Sequence, residues 1–186
     1  MTSRSTLRSQ IAEAWRQSIA EDYAAQRINS ERSLQASVWS RLNQLLPSST
    51  RRMFIEPCLV GSHQERQVRY PDLVVCNTRE VIGIIELKYS PRARPSWRKD
   101  LATFEWINTN RKSIHVSNAR FRGVSSDSRK YSLAASILYV WAGVHVPYEL
   151  ELREHIGPSL GSCFLALHAE TSYSEEPRLR SSWAKL

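Results

Sequence analysis

The 186-residue chain is 41% hydrophobic and 24% charged, the balance of a soluble globular protein of one domain rather than a disordered or fibrous one. Lys and Arg outnumber Asp and Glu 26 to 18, a formal net charge of +8, and the sequence pI is near 9.8, which favours a polyanionic partner such as nucleic acid. The longest apolar region, about 133–146, is interrupted by Ser136 and His145 and is too short for a bilayer, which needs about 20 apolar residues.

Leu7, Ile11, Trp15, Ile19 and Tyr23 recur every four residues and predict an amphipathic N-terminal helix over 5–24. Ser30 can cap a second helix from about Glu31 to Leu46, with Pro47 just beyond it and Leu34, Val38, Leu42 and Leu45 as its apolar stripe. Three strands are expected next, over Arg52–Val60, Tyr70–Cys76 and Val81–Lys88; Pro57 gives the first of them a bulge or an edge position. The short polar link Asn77–Glu80 makes the second and third an antiparallel hairpin. A Pro- and Arg-bearing loop at 90–95 precedes a helix from Trp97 to Asn108. The segment 117–130 reads as a polar, basic connection, and 133–141 as a buried strand. Pro147 at the start and Gly157 at the stop frame a helix over 147–156. Ser162–Leu167 reads as a last strand. The whole is one domain: the N-terminal helix, a core over about 30–168 and a polar tail over 171–186 that frays. The expected fold is α/β, with a mixed sheet covered on both faces by helices.

The most informative pattern is Pro71-Asp72 followed by Glu86-Leu87-Lys88, each at an end of an apolar run. Strand alternation puts Asp72, Val74 and Cys76 on one face, and Ile82, Ile84, Glu86 and Lys88 on one face of the next strand. A hairpin loop over 77–81 pairs Cys76 with Ile82, Val74 with Ile84 and Asp72 with Glu86, and leaves Tyr70 across from Lys88. Opposed carboxylates repel and need a reason to be together. A hard cation is one: Mg²⁺ takes one or two carboxylates with waters and phosphate oxygens. Asp72 and Glu86 supply the carboxylates, the Leu87 main-chain carbonyl points near the same ion, and Lys88 can stabilise charge on a phosphate. A shift of the register by one residue would send the acids to opposite faces.

These residues, in this order of elements, resemble the PD-(D/E)XK nuclease superfamily, which has the restriction-endonuclease-like fold. The resemblance covers the helix–strand–strand–strand–helix–strand (αβββαβ) succession from Glu31 to Trp141. It implies that Asp72 and Glu86 bind Mg²⁺ or Mn²⁺ and that Lys88 assists hydrolysis. It also implies a further acid on the preceding helix that can complete the metal shell, where Glu31 matches and shares the face of Leu34; Glu56 is the lesser candidate. The Lys99-Asp100 pair that opens the next helix is similar to a pattern in several branches, with the expected task of positioning the helix or touching substrate.

Arg92, Arg94, Arg98 and Lys99 follow the motif directly and are the expected phosphate contacts, with Trp97 among them either stacking on a base or packing. Further basic residues stand at 111–112, 120, 122 and 129–130. No P-loop, serine-hydrolase elbow, Cys-x-x-Cys or zinc-ligand spacing is present, and His145, His155 and His168 read as structural. The three cysteines are few and far apart, and the N-terminus lacks a secretory stretch, so a reducing, cytoplasmic compartment is expected. The expectation is therefore a Mg²⁺- or Mn²⁺-dependent nuclease acting on nucleic acid, DNA first, with no membrane and with a homodimer or a targeting protein partner open. The alternatives are an RNA nuclease and a non-catalytic nucleic-acid-binding module on the same fold.

Overall fold

A computed structural model describes residues 3–61, 68–122, 125–148, 160–173 and 175–182. Helix α1 (Ser3–Gln17) runs on into a π-helical turn over Ser18–Tyr23, so the expected N-terminal helix over 5–24 continues to Tyr23. Helix α2 spans Glu31–Leu45. Ser30 caps it as expected, its hydroxyl accepting from the Ser33 amide at 3.2 Å while Ser33 Oγ accepts from the Ser30 amide at 3.0 Å.

The strands are β1 (Arg52–Ile55), β2 (Leu59–Gly61), β3 (Val68–Arg69), β4 (Leu73–Cys76), β5 (Glu80–Ser90), β6 (Ile114–Arg122), β7 (Ser125–His145), β8 (Phe164–Glu170) and β9 (Arg178–Ser181). Helix α3 (Arg98–Thr109) lies between β5 and β6. The sheet is mixed and mostly antiparallel: its order is β1-β4-β5-β7-β6-β2-β3, with β8 paired to β7 and β9 to β8. Only β5–β7 and β7–β8 run parallel. Parallel neighbours need a crossover, which for β5 and β7 contains α3.

Alternation along the strands splits the interior into two cores. Leu73, Val75, Ile85, Leu87, Val140 and Ala142 pack with Leu7, Ile11, Trp15, Leu34, Val38 and Leu42 of α1 and α2. Val74, Ile84, Tyr139 and Trp141 pack on the other face with Leu101, Phe104 and Ile107 of α3. Helices thus flank both faces, which is why β4 and the centre of β7 are near-continuous apolar runs. Gly143 is fixed by close approach: a Cβ there would lie 2.4 Å from Cη2 of the buried Trp141 indole. Gly143→Ala is expected to cost about 1–3 kcal/mol, measured as a lower urea midpoint with an unchanged slope.

Four expectations need correction. The first strand is two, β1 and β2, because Glu56 takes a positive φ of 45° before Pro57 and breaks the ladder. The stretch 117–130 is a paired ribbon, with Ser117 against Lys130 and Arg122 against Ser125, so its polar composition hides backbone pairing. The tail does not simply fray: β9 adds to β8, pairing Leu167 with Ser181 and Glu170 with Arg178. Arg180 forms an ion pair with the buried Glu170 there. In the motif hairpin Cys76 pairs with Val81, not Ile82, because the ladder slips by one residue at the tip. Residues 149–156 of the expected helix over 147–156 lie outside the described residues, His155 among them, as does Trp183; Pro147 and Tyr148 are not helical. No helix among the described residues is long and apolar enough to cross a membrane.

Candidate active site

The hairpin register decides the site. Leu73 pairs with Ile85, Val74 with Ile84 and Val75 with Gly83, so the slip at the tip is absorbed before the carboxylates. Asp72 lies one residue before β4 and Glu86 one residue beyond the last β4–β5 pair, and their carboxyls meet. Parity puts both on the face of Val74 and Ile84, the face that α3 covers. A cleft of about 710 Å³ opens there, lined by Asp72, Glu86 and Lys88, by Glu31 of α2, by Ser96, Lys99, Asp100, Ala102 and Thr103 at and within α3, and by Val68, Arg69 and Tyr70.

Asp72 is held from three sides. Its Oδ2 accepts the Leu87 amide proton at 2.6 Å. Its own carbonyl accepts from Gln35 Nε2 and from the Glu56 amide, both at 3.0 Å. Glu56 therefore serves through its main chain; its side chain is exposed and does not line the cleft. Gln35 is a residue the sequence reading missed. It lies one helical turn after Glu31, so the face that presents one presents the other.

Glu86 is only 8% exposed, yet it is an acid. Burial first, then the negative charges of Asp72 and Asp100, push its carboxyl up to about 9, and it lies close enough to Asp72 for the two to share a proton. Burial likewise pushes Asp72 up to about 6, against the pull of the Leu87 amide and of Lys88. A close, poorly solvated carboxylate pair of this kind favours keeping a proton.

Lys88 is the cation present. Its Nζ lies 3.4 Å from Asp100 Oδ2 and donates to the Leu87 carbonyl at 3.1 Å. Burial alone would lower its pKa; Asp100, Glu31, Asp72 and Glu86 together outweigh that and raise it, so the ammonium stays charged. Asp100, expected to position its helix or touch substrate, faces Lys88 directly. It is 5% exposed, and its Oδ2 accepts from Trp141 Nε1 at 3.2 Å as well as facing Lys88. The sequence carried a faint signal: Asp100 precedes Phe104 by four residues and so shares the inward side of α3.

Glu31 stands at the mouth of the cleft, exposed, its Oε2 accepting from the Tyr89 amide at 3.4 Å. Among the described residues no group of three or more His, Cys, Asp or Glu side chains is spaced as a metal cage. The oxygen donors on hand for a hard ion are the Asp72 and Glu86 carboxylates, with the Leu87 carbonyl turned toward the same cluster under Lys88 Nζ. That set fits Mg²⁺ or Mn²⁺, which keep several waters and use few carboxylates, and suits no soft metal.

The basic residues divide. Lys99 lines the cleft. Arg92, Arg94 and Arg98 are exposed and lie outside its lining, with the Arg98 guanidinium 5.7 Å from the Trp97 ring centre. Trp97 itself packs against the α3-side core, the second of its two expected roles. Arg69, singled out by nothing in the sequence, does line the cleft.

His145 and His168 are buried away from the cleft, as structural groups. The Val146 carbonyl can only accept, so His145 Nδ1 donates to it at 2.8 Å, and His145 Nε2 accepts from His168 Nδ1 at 3.0 Å. Burial lowers both pKa values, that of His168 to about 3, so the pair is neutral. Cys76 is a buried free thiol, its pKa pushed up to about 12 by burial; Cys58 and Cys163 are free and half-buried. Compared with known proteins, the chain matches no family model, no curated sequence and no solved structure.

Proposed function

We propose that the protein is a metal-dependent nuclease that hydrolyses phosphodiester bonds in DNA. One observation carries this reading. A buried acid, Glu86, and a half-buried one, Asp72, meet in an open cleft, beside a lysine held charged by a third, buried acid. A fold gains nothing from such a pair on its own, since burying like charges is unfavourable. It gains when a hard divalent cation replaces the shared proton.

A bound Mg²⁺ supplies a polarised phosphate and an acidified water. The protein's own residues do the rest. Asp72 and Glu86 hold the ion, and the Leu87 amide and Gln35 fix Asp72. Lys88, aimed by Asp100, meets the charge that develops on the phosphate. Lys99 and Arg69 offset the repulsion between four cleft acids and an anionic strand. The net charge of +8 acts in the same direction at longer range.

The test is incubation of the purified chain with linear DNA, supercoiled DNA and RNA, with Mg²⁺, Mn²⁺ or chelator, beside Asp72→Asn and Glu86→Gln. Metal-dependent loss of DNA, absent in both variants, is expected. Cleavage that survives either substitution would overturn the assignment of the site to these acids, and salt-sensitive binding with no cleavage in either metal would overturn the catalytic reading in favour of a binding module.

A further inference from the structure

Three large apolar side chains stand exposed among the described residues: Ile55, Tyr70 and Tyr173. Tyr70 alone of these lines the cleft, and it is 63% exposed there, two residues before Asp72. An aromatic ring left in water at the edge of a strongly polar cleft has a face to offer. Its placement is also constrained. Pro71 follows it, which restricts the Tyr70 backbone to extended conformations. Its hydroxyl meets the Cys58 side chain, which raises the phenol's pKa.

Arg69 stands next to it. Its guanidinium carbon lies 5.1 Å from the Trp106 ring centre, and Nη1 donates to the Val68 carbonyl at 3.1 Å. A guanidinium stacked on an indole is held in place without losing its charge. Ring and cation thus both line the cleft that holds the acids and Lys88.

Resting on the nuclease reading above, we propose that Tyr70 and Arg69 form a nucleotide subsite. The ring stacks on an unpaired base, the guanidinium holds the adjoining phosphate, and the substrate is a strand single-stranded at the scissile step. In an intact duplex each base face is covered by its neighbours, so a side chain in a cleft can stack only on a base that is unpaired, terminal or flipped out. A cleft of about 710 Å³ has the room of a small-ligand pocket, ~300–1,000 Å³, which suits a single nucleotide.

The test measures binding in chelator, so that no cleavage intervenes. The probes are a labelled single-stranded oligodeoxynucleotide and the same strand in duplex, read by fluorescence anisotropy. Tyr70→Ala is expected to weaken single-strand binding about fivefold or more, the worth of one base–aromatic stack, and to change duplex binding less. Tyr70→Phe keeps the ring and is expected to keep the affinity. Arg69→Gln is expected to weaken binding and flatten its dependence on salt. Equal affinity of Tyr70→Ala and the unaltered protein, an equal loss on both probes, or a Phe variant as weak as the Ala variant would overturn the subsite. So would failure to bind either probe. Ring-dependent binding by a protein that never cleaves sinks the nuclease reading alone, and cleavage indifferent to Tyr70 sinks the subsite alone. Because Tyr70 is exposed, its loss leaves the core intact, and a melting curve on each variant checks this.

Discussion

Glu86→Gln is expected to abolish cleavage and, in the same protein, to raise the stability of the metal-free fold. The unaltered carboxyl is buried, and its pKa is raised from 4.5 to about 9. Below pH 4.5 it is protonated in both folded and unfolded chains, and its position costs nothing. Above that value the unfolded chain releases its proton and the folded one does not, so stability falls as pH rises, until the folded group also ionises near pH 9. Asp72 contributes with the same sign between 3.8 and about 6. At neutral pH the Glu86 cost is on the order of 3 kcal/mol, so the Gln variant should melt about 6–12 °C higher in chelator. Mg²⁺ or Mn²⁺ should raise the melting temperature of the unaltered protein, since it binds the folded state, and barely move that of the variant. Calorimetry across pH 5–9, with and without metal, checks both signs. Equal melting temperatures in chelator, or an equal metal-induced rise in both proteins, would remove Glu86 from a cation site.

Lys88→Met is expected to go the other way on stability while also destroying activity. The Lys88 ammonium is the positive charge that faces Asp100 and offsets Asp72 and Glu86. Without it Asp100 keeps only the Trp141 indole N–H, at 5% exposure. Removing one partner of a buried ion pair costs about 3–5 kcal/mol, because the remaining charge stays buried. Denaturant midpoints should fall accordingly, most steeply at alkaline pH, where the acids are ionised. Cleavage should drop about 100-fold or more, the loss typical of a group aimed at transition-state charge. Lys88→Arg retains the charge and should recover most of the stability but not the rate, since the guanidinium is planar and larger. A Met variant as stable as the unaltered chain would mean that Lys88 is not the charge holding the cluster together. The two substitutions, two residues apart, should thus share a catalytic phenotype and differ in the sign of their effect on folding.

The opposition of Asp72 and Glu86 was legible because it rests on local rules. A strand alternates its faces, a short polar link forces a hairpin, and the two runs of apolar residues fix which parity is buried. Even a wrong loop length left it intact, because the bulge at the tip takes up the one-residue slip before Val75. The ribbon at 117–130 and strand β9 were not legible. Their residues are mostly polar and show no apolar alternation, and their pairing rests on main-chain bonds, within a local hairpin for the ribbon and to β8 for β9, which side-chain patterns do not encode. The break at Glu56 depends on a positive φ that its residue type does not favour.

By itself, then, the order of residues determined the acids, the lysine, their shared parity, the capped helix α2 and the helix-flanked mixed sheet, all consequences of period and punctuation along the chain. Only the tertiary structure decided who surrounds them. Asp100 reaches Lys88 because α3 crosses over the β5 face; Gln35 reaches Asp72 because α2 packs on the opposite one; the Arg69 guanidinium is held at the cleft because α3 brings Trp106 beneath it. Such meetings depend on how whole elements stack, and stacking is set by two apolar cores acting at once.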